Sequence, residues 1–451
     1  MTPTARLSAL SARTPPAAAV SPSHRRPSFG RLAGALALGL WAPLSIAAER
    51  FPKPDLSPGY VAPADHWPGL TAAWRDGLDV GILALALGAA AWLALRRRSR
   101  LGLQVLGLAC LAYFGFWRRG CLCPVGSFQA VAEGLFQGVA LPLPTVLFFM
   151  LPLLAALLWG RVFCAAVCPL GLLQDVVAVR PQRLSRAVDA ALQVIPVVML
   201  ALGVLLAATQ TAYLACRFDP LVPLLRLSGS AHGVLMGVGF LLLGIFLARP
   251  YCRYVCPYGV LLRGLSRLTW THVTITPDTC VQCHLCAGSC PFEAISAPTP
   301  PARPEAVRAG VRRLAWLVVA TPLLVASFAL LFSLPAPALA RLHADVRLSE
   351  HLQREAAGSA TATAESIAFR ASARTPADLH EAAAARRDAL RRGGRWAGAF
   401  VGMVIALRLL GASLQRRRTD YEPDRGTCLS CGRCFRSCPQ ELRRLHPRAE
   451  A

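Results

Sequence analysis

The chain has 451 residues, 55% of them apolar and only 16% charged, with a mean hydropathy of +0.46. That balance excludes an ordinary soluble domain and points to the bilayer. A formal net charge of +24 would suit nucleic acid, but the basic residues are almost all arginine and sit in short runs beside apolar stretches, as at Arg96-Arg97-Arg98, Arg312-Arg313 and Arg416-Arg417-Arg418. This is the positive-inside pattern of a membrane protein, so no nucleic-acid partner is expected.

Residues 1–48 read as a leader. The first thirty are rich in Ala, Ser, Pro and Arg, and the apolar run from Leu32 to Ala47 fits either a signal peptide or an uncleaved first anchor. A short Pro-rich segment, 49–77, would lie in the periplasm. Apolar stretches able to cross a core of about 30 Å follow at 78–95, 101–117, 143–159, 190–209, 233–248, 314–334 and 396–412. The expected fold class is therefore an all-α polytopic membrane protein with about seven transmembrane helices after the leader. Counting arginines in the loops puts 96–100, 160–189, 249–313 and 413–451 in the cytoplasm, and 118–142, 210–232 and 335–395 in the periplasm of a bacterial inner membrane. Arg118-Arg119 pulls against that order and leaves a re-entrant arrangement open at 118–142. The 335–395 insert should contain a helix from Pro376 to Leu390, capped by Thr375.

Sixteen cysteines in a chain of this size would mean disulfides if they were loosely spaced in an oxidising compartment. Most instead sit in tight groups. Cys280, Cys283, Cys286 and Cys290-Pro291, and again Cys428, Cys431, Cys434 and Cys438-Pro439, both read C-x2-C-x2-C-x3-C-P, the spacing of bacterial ferredoxins. Three thiolates of one loop reach one [4Fe–4S] cube, and the fourth, beside proline, reaches a second. The expected ligand sets are Cys280, Cys283, Cys286 and Cys438 for one cluster, with Cys428, Cys431, Cys434 and Cys290 for the other. Structural zinc needs neither the third C-x2-C step nor the Cys-Pro ending. Sharing ligands requires both runs on one membrane face, hence an even number of spans between them, and 314–334 and 396–412 supply two. The split ferredoxin-like module would occupy 271–300 and 413–451, with a transmembrane core over 78–270.

Three further groups end in Cys-Pro-x-Gly. They are Cys121-Leu-Cys123-Pro124, Cys164-Ala-Ala-Val-Cys168-Pro169 and Cys252-Arg-Tyr-Val-Cys256-Pro257, each preceded by arginine. Proline would block helix continuation and glycine permit a tight reversal, setting the thiols at the membrane surface. Such pairs ligate a metal, form a reversible disulfide, or merely pack beside a helix end. Cys216 is a candidate to join Cys121 or Cys123, and Cys110, in mid-span, reads as packing. No span holds a pair of interior histidines, which argues against bis-histidine haem. His284, inside a cluster loop, is expected to tune that loop through outer contacts.

The ordered motifs RRGCLCPVGSFQ, GRVFCAAVCPLGLLQDV, CRFDP and RPYCRYVCPYGVLL, followed by the ferredoxin run, resemble the NosR/NapH-type membrane iron–sulfur proteins over roughly residues 50 to 295, with the second run extending the likeness to the C-terminus. The resemblance implies electron transfer from a quinol or cytoplasmic donor, through cytoplasmic-face clusters, towards a periplasmic acceptor, plausibly in anaerobic respiration of the nitrous oxide or nitrate type. No bond-making catalytic residue is expected. Nitrous-oxide-type members carry a periplasmic flavin-binding domain ahead of the spans, where this chain has only a short segment, so a separate flavoprotein partner is expected. The Cys-Pro groups, a bound quinone or that flavin are candidates to carry electrons across the membrane. Alternative readings are a copper-ion or thiol reductase acting through Cys121, Cys123 and Cys216, and a redox-sensing regulator. A transporter ranks last, because the spans lack interior charged residues. Arg433 and Arg436 are expected to raise cluster potential.

Overall fold

The structure is a computed structural model that describes residues 73–120, 124–179, 181–182, 184–214, 219–228, 230–275, 280–299, 307–372, 374–414 and 418–445. The leader and Cys121, Cys123 and Cys216 lie outside them. The described chain is almost entirely helical. It opens with α1 (Ala73–Leu95) and α2 (Arg100–Cys110), which runs on as a π-helical segment over Leu111–Trp117, then α3 (Pro124–Gln137) and α4 (Leu143–Trp159). A second π-helical turn, Phe163–Val167, leads into α5 (Pro169–Val177), followed by α6 (Arg186–Leu192), α7 (Ile195–Ala208), α8 (Val222–Arg226) and α9 (Ala231–Phe246). Then come α10 (Pro250–Tyr254), α11 (Pro257–Ser266), α12 (Leu285–Ser289), β1 (Ile295–Ser296) and α13 (Val307–Ser333). Short helices α14 (Ala336–Ala340), α15 (Ala344–Ala356) and α16 (Ala364–Arg370) precede α17 (Pro376–Ser413), β2 (Glu422–Pro423), α18 (Arg433–Ser437) and α19 (Pro439–Leu445).

Five helical segments are long and apolar enough to cross a membrane: Trp74–Leu95, Arg100–Trp117, Ala187–Ala208, Val307–Ser333 and Pro376–Ser413. The apolar helices α4 and α9, of 17 and 16 residues, are shorter than the roughly 20 residues of a full crossing. Each of the seven apolar stretches read from the sequence is thus helical.

Local chemistry explains two departures from expectation. The proline of each described Cys-Pro motif starts a helix rather than only ending one. Cys168 and Cys256 cap α5 and α11 in extended conformation, and Pro169 and Pro257 take the first helical position, where a fixed φ helps and the missing N–H is not needed. The helix expected over 376–390 and the span over 396–412 are one helix, α17, closed at its start by a reciprocal Thr375–Asp378 capping box.

Three glycines of α17 are needed for its packing against α13. A Cβ at Gly394, Gly398 or Gly402 would lie 2.7 Å from the Phe332 carbonyl, 2.1 Å from the Phe328 carbonyl and 2.9 Å from Val325 Cα, respectively. The α13 and α17 backbones therefore touch along a small-residue seam, while no residue of α13 is buried against anything more. Gly398→Val should force the hairpin apart and cost about 1–3 kcal/mol, read as a lower unfolding temperature in detergent. Gly411→Ala, with nothing within 4 Å of its Cβ position, should leave that temperature unchanged or raise it.

Candidate functional site

The two ferredoxin-type runs meet. Strands β1 and β2 pair antiparallel with Ile295 opposite Pro423 and Ser296 opposite Glu422. Asp424 N donates to the Ala294 carbonyl at 2.7 Å. Residues Thr299 and Arg418, 119 apart in sequence, exchange two more bonds, at 2.9 and 3.0 Å. The second half also docks on the start of the bundle, where Arg98 forms a 2.8 Å ion pair with Glu441 and stacks over Phe435.

Within this module the thiols sort into two groups drawn from both halves. Cys286 has Cys280, Cys283 and Cys438 as its charged neighbours, whereas Cys428 and Cys434 have Cys431 and Cys290. A small cavity is lined by all four thiols of the first group together with His284 and Tyr421. Burial pushes the Cys286 and Cys434 thiols up, and Cys428 up to about 12.

The backbone repeats itself in the two loops. Gln282 and His284 in one, and Ser430 and Gly432 in the other, occupy matching left-handed positions with φ of 52°, 61°, 55° and 71°. Such turns aim successive N–H groups inward and make a concavity for an anion. Two amides point at sulfur, Ser430 N to Cys428 Sγ at 3.5 Å and Ala294 N to Cys290 Sγ at 3.4 Å. Among the described residues no three His, Cys, Asp or Glu side chains are grouped tightly enough for a single metal ion. Soft thiols spaced around an amide-lined hollow fit a thiolate-ligated iron–sulfur cluster better than zinc. His284 reaches outward, with Nδ1 hydrogen-bonded to the Tyr421 hydroxyl.

Beside the second thiol group lie the Cys-Pro motifs. Cys164, Cys168 and Cys256 are buried and Cys252 is half-buried, so these thiols sit inside the fold rather than on its surface. Two arginines organise them reciprocally. Arg249, 1% exposed, donates from Nε and Nη2 to Asp175 at 2.9 and 2.6 Å and from Nη1 to the Cys164 carbonyl. Its Nη1 lies 3.1 Å from the Cβ position of Gly171, so a side chain there would press on the guanidinium. Arg161 has its Nη2 3.8 Å from Cys164 Sγ and 3.7 Å from the Cβ position of Gly259, and it donates to the Gly426 carbonyl of the ferredoxin module at 3.2 Å. Each motif's arginine therefore rests on the glycine of the other motif.

The fields of these arginines reach the second thiol group, Arg161 acting on Cys428 and Arg249 on Cys431. Cys252 and Cys164 are electrostatic neighbours; burial pushes the Cys252 thiol up to about 12 against the pull of Arg249. Gln174 locks the pair's surroundings, donating to Cys252 Sγ at 3.3 Å and accepting from Tyr251 N at 2.9 Å.

The sequence alone gives the motif arginines no contact with the thiols. The available signal was their constant place three residues before the first cysteine, at Arg161 and Arg249. Asp175, Gln174 and Tyr421 had no such signal. Arg433 lies 4.0 Å from Asp175, while Arg436 is exposed.

Burial alone would raise the Asp175 carboxyl, but the Arg249 guanidinium overcomes this and holds it below the usual range. The stability it contributes is complete above the ordinary carboxylate pKa and is lost as pH falls through the lowered value. Asp175→Asn should cost about 3–5 kcal/mol at neutral pH by stranding a buried guanidinium, with the gap to the parent closing in acid; thermal unfolding across pH checks both.

A 4Fe-4S binding domain family matches residues 141–187 and 231–273, spanning both described Cys-Pro motifs, and a second 4Fe-4S binding domain family matches 273–296. An uncharacterized protein of Methanocaldococcus jannaschii is 29% identical over 190 residues, 40% of this chain and 77% of its own. The regulatory protein NosR of Pseudomonas aeruginosa is 31% identical over 41% of this chain but only 28% of its own length. The putative electron transport protein YccM of Escherichia coli is 25% identical over 30% of this chain and 43% of its own. No solved structure matches. Matched on its Cys-Pro core and its first ferredoxin run by the two 4Fe-4S binding domain families, and similar over part of its length to NosR and YccM, the chain resembles the NosR/NapH-type membrane 4Fe–4S proteins.

Proposed function

We propose that the chain relays single electrons through two [4Fe–4S] clusters, one on Cys280, Cys283, Cys286 and Cys438 and the other on Cys428, Cys431, Cys434 and Cys290. The observation that carries this reading is the interleaving of the thiols, three from one run with the last cysteine of the other in each group. Bound clusters supply one-electron redox sites whose potentials follow charge, hydrogen bonding to sulfur and solvent exposure.

The chain's own residues set those conditions differently in the two groups. Cys283 is exposed, so the first group is the point of exchange with a soluble partner. The second group is covered by the Cys-Pro motifs, and Arg161 and Arg249 beside it favour the reduced, more negative state. Electrons would thus enter or leave at the first group and be held at the second. The donor is a quinol or a cytoplasmic protein and the acceptor lies in the periplasm, with both clusters on the cytoplasmic side of a bacterial inner membrane. Cys164, Cys168, Cys252 and Cys256 are the candidates for a further metal or redox site, supported by the 4Fe-4S family match across them. The names of NosR and YccM support regulation and electron transport, respectively, as the setting.

Cys438→Ser and Cys290→Ser separate the two groups. In anaerobically purified protein each variant should lose about half of the iron and sulfide, and electron paramagnetic resonance of the dithionite-reduced samples should lose a different signal in each. Loss of the same signal in both would contradict the assignment.

A further inference from the structure

We propose that the chain carries a binding site for an acidic phospholipid, with the phosphate held by Arg161, Arg263 and Arg408 and the acyl chains laid against α7, α11 and α17. A cavity of about 1280 Å³ lies between these helices and the ferredoxin module, its lower wall formed by Leu200, Val260, Phe400, Val404 and Leu407. Phe400 and Leu407 are 42% and 59% exposed, so this wall opens outward, where hydrocarbon surrounds a spanning helix.

At its head the cavity shares Val260, Arg263 and Arg408 with a smaller pocket of about 60 Å³ that reaches Arg161, Arg249 and Arg253. The last two have counter-charges, Arg249 in Asp175 and Arg253 in Asp189. Among the described residues, Arg161, Arg263 and Arg408 form no ion pair. Arg161 donates to the Gly426 carbonyl and Cys164 Sγ, Arg263 to Gln193 Oε1 and Arg408 to the Gln193 carbonyl. Arg161 is 7% exposed, and its Nε and that of Arg263 are buried without an acceptor. Burial, and then the charges of Arg161, Arg408 and Arg267, hold Arg263 down to about 10 against the opposing pull of Asp424.

Three crowded guanidinium groups with no carboxylate at ion-pair distance, Asp424 and Asp189 acting on Arg263 and Arg408 only from further away and Asp420, Glu422 and Asp424 lining the larger cavity, suit an anion with several acceptor oxygens. A phosphodiester meets that need, and its attachment to acyl chains matches the apolar wall continuous with the pocket. A basic pocket between spanning helices is the known setting for acidic headgroups. A neutral quinone would fill the groove and leave the charge unanswered, while a zwitterionic lipid brings a cation of its own.

The test uses detergent-purified, iron-loaded protein stripped of lipid, examined by native mass spectrometry and thermal unfolding with phosphatidylglycerol, phosphatidylcholine, inorganic phosphate or decylubiquinone. Phosphatidylglycerol should be retained on the order of tenfold or more over phosphatidylcholine and should raise the unfolding temperature. Neither phosphate nor the quinone should replace it. Arg263→Gln with Arg408→Gln should abolish the preference at unchanged iron content, whereas Arg263→Lys with Arg408→Lys should keep part of it. Equal retention of phosphatidylcholine by the parent protein, protection by phosphate or quinone alone, or a full preference in the glutamine variant would each overturn the proposal. The lipid comparison on the parent stands even if the glutamine variant does not fold.

Discussion

Two cysteine runs far apart in the chain have to arrive at the same place, and most of the architecture serves that meeting. After the first run the chain leaves along α13, turns through α14 to α16 and returns along α17 to the second. The return register is fixed by Gly394, Gly398 and Gly402, whose missing side chains let the two backbones touch. Van der Waals contact between close backbones is the force available where hydrocarbon surrounds both helices. On arrival, a two-residue strand pair, a few backbone bonds, the Tyr421–His284 hydrogen bond and a small cluster of Ile275, Cys286 and Tyr421 hold the halves together.

Positive charge is the second organising element. Arg249 is almost wholly buried, donating three hydrogen bonds to Asp175 and the Cys164 carbonyl with its guanidinium set over the ring of Phe292. Lysine could not replace that planar fork. Through it the Cys-Pro motifs, α5 and the loop after Cys290 become one packed unit, and Arg161 joins that unit to Gly426. The same residues that align the structure also bias the second thiol group electrostatically, so packing and redox tuning cannot be altered separately here.

The sequence is legible where physics is local. The apolar run at 143–159 predicts α4 to the residue, and Thr375-Pro376 announces the start of α17, because hydropathy and capping act over one or two turns. Other features depend on partners distant in sequence. Gly394 shows its packing role only once Phe332 is seen against it, and Pro169 and Pro257 read as stops although they begin helices. Arg161 and Arg249 look like surface charges until each is found against the other motif's glycine, and nothing near Asp175 in sequence reveals the arginine 74 residues away.

That the gathered thiols hold two [4Fe–4S] clusters is the claim on which the account stands, and metal content tests it most directly. Anaerobically purified protein, analysed for iron, zinc and acid-labile sulfide per chain, should contain about eight iron and eight sulfide, as two [4Fe–4S] clusters require. Stoichiometric zinc without sulfide would contradict it.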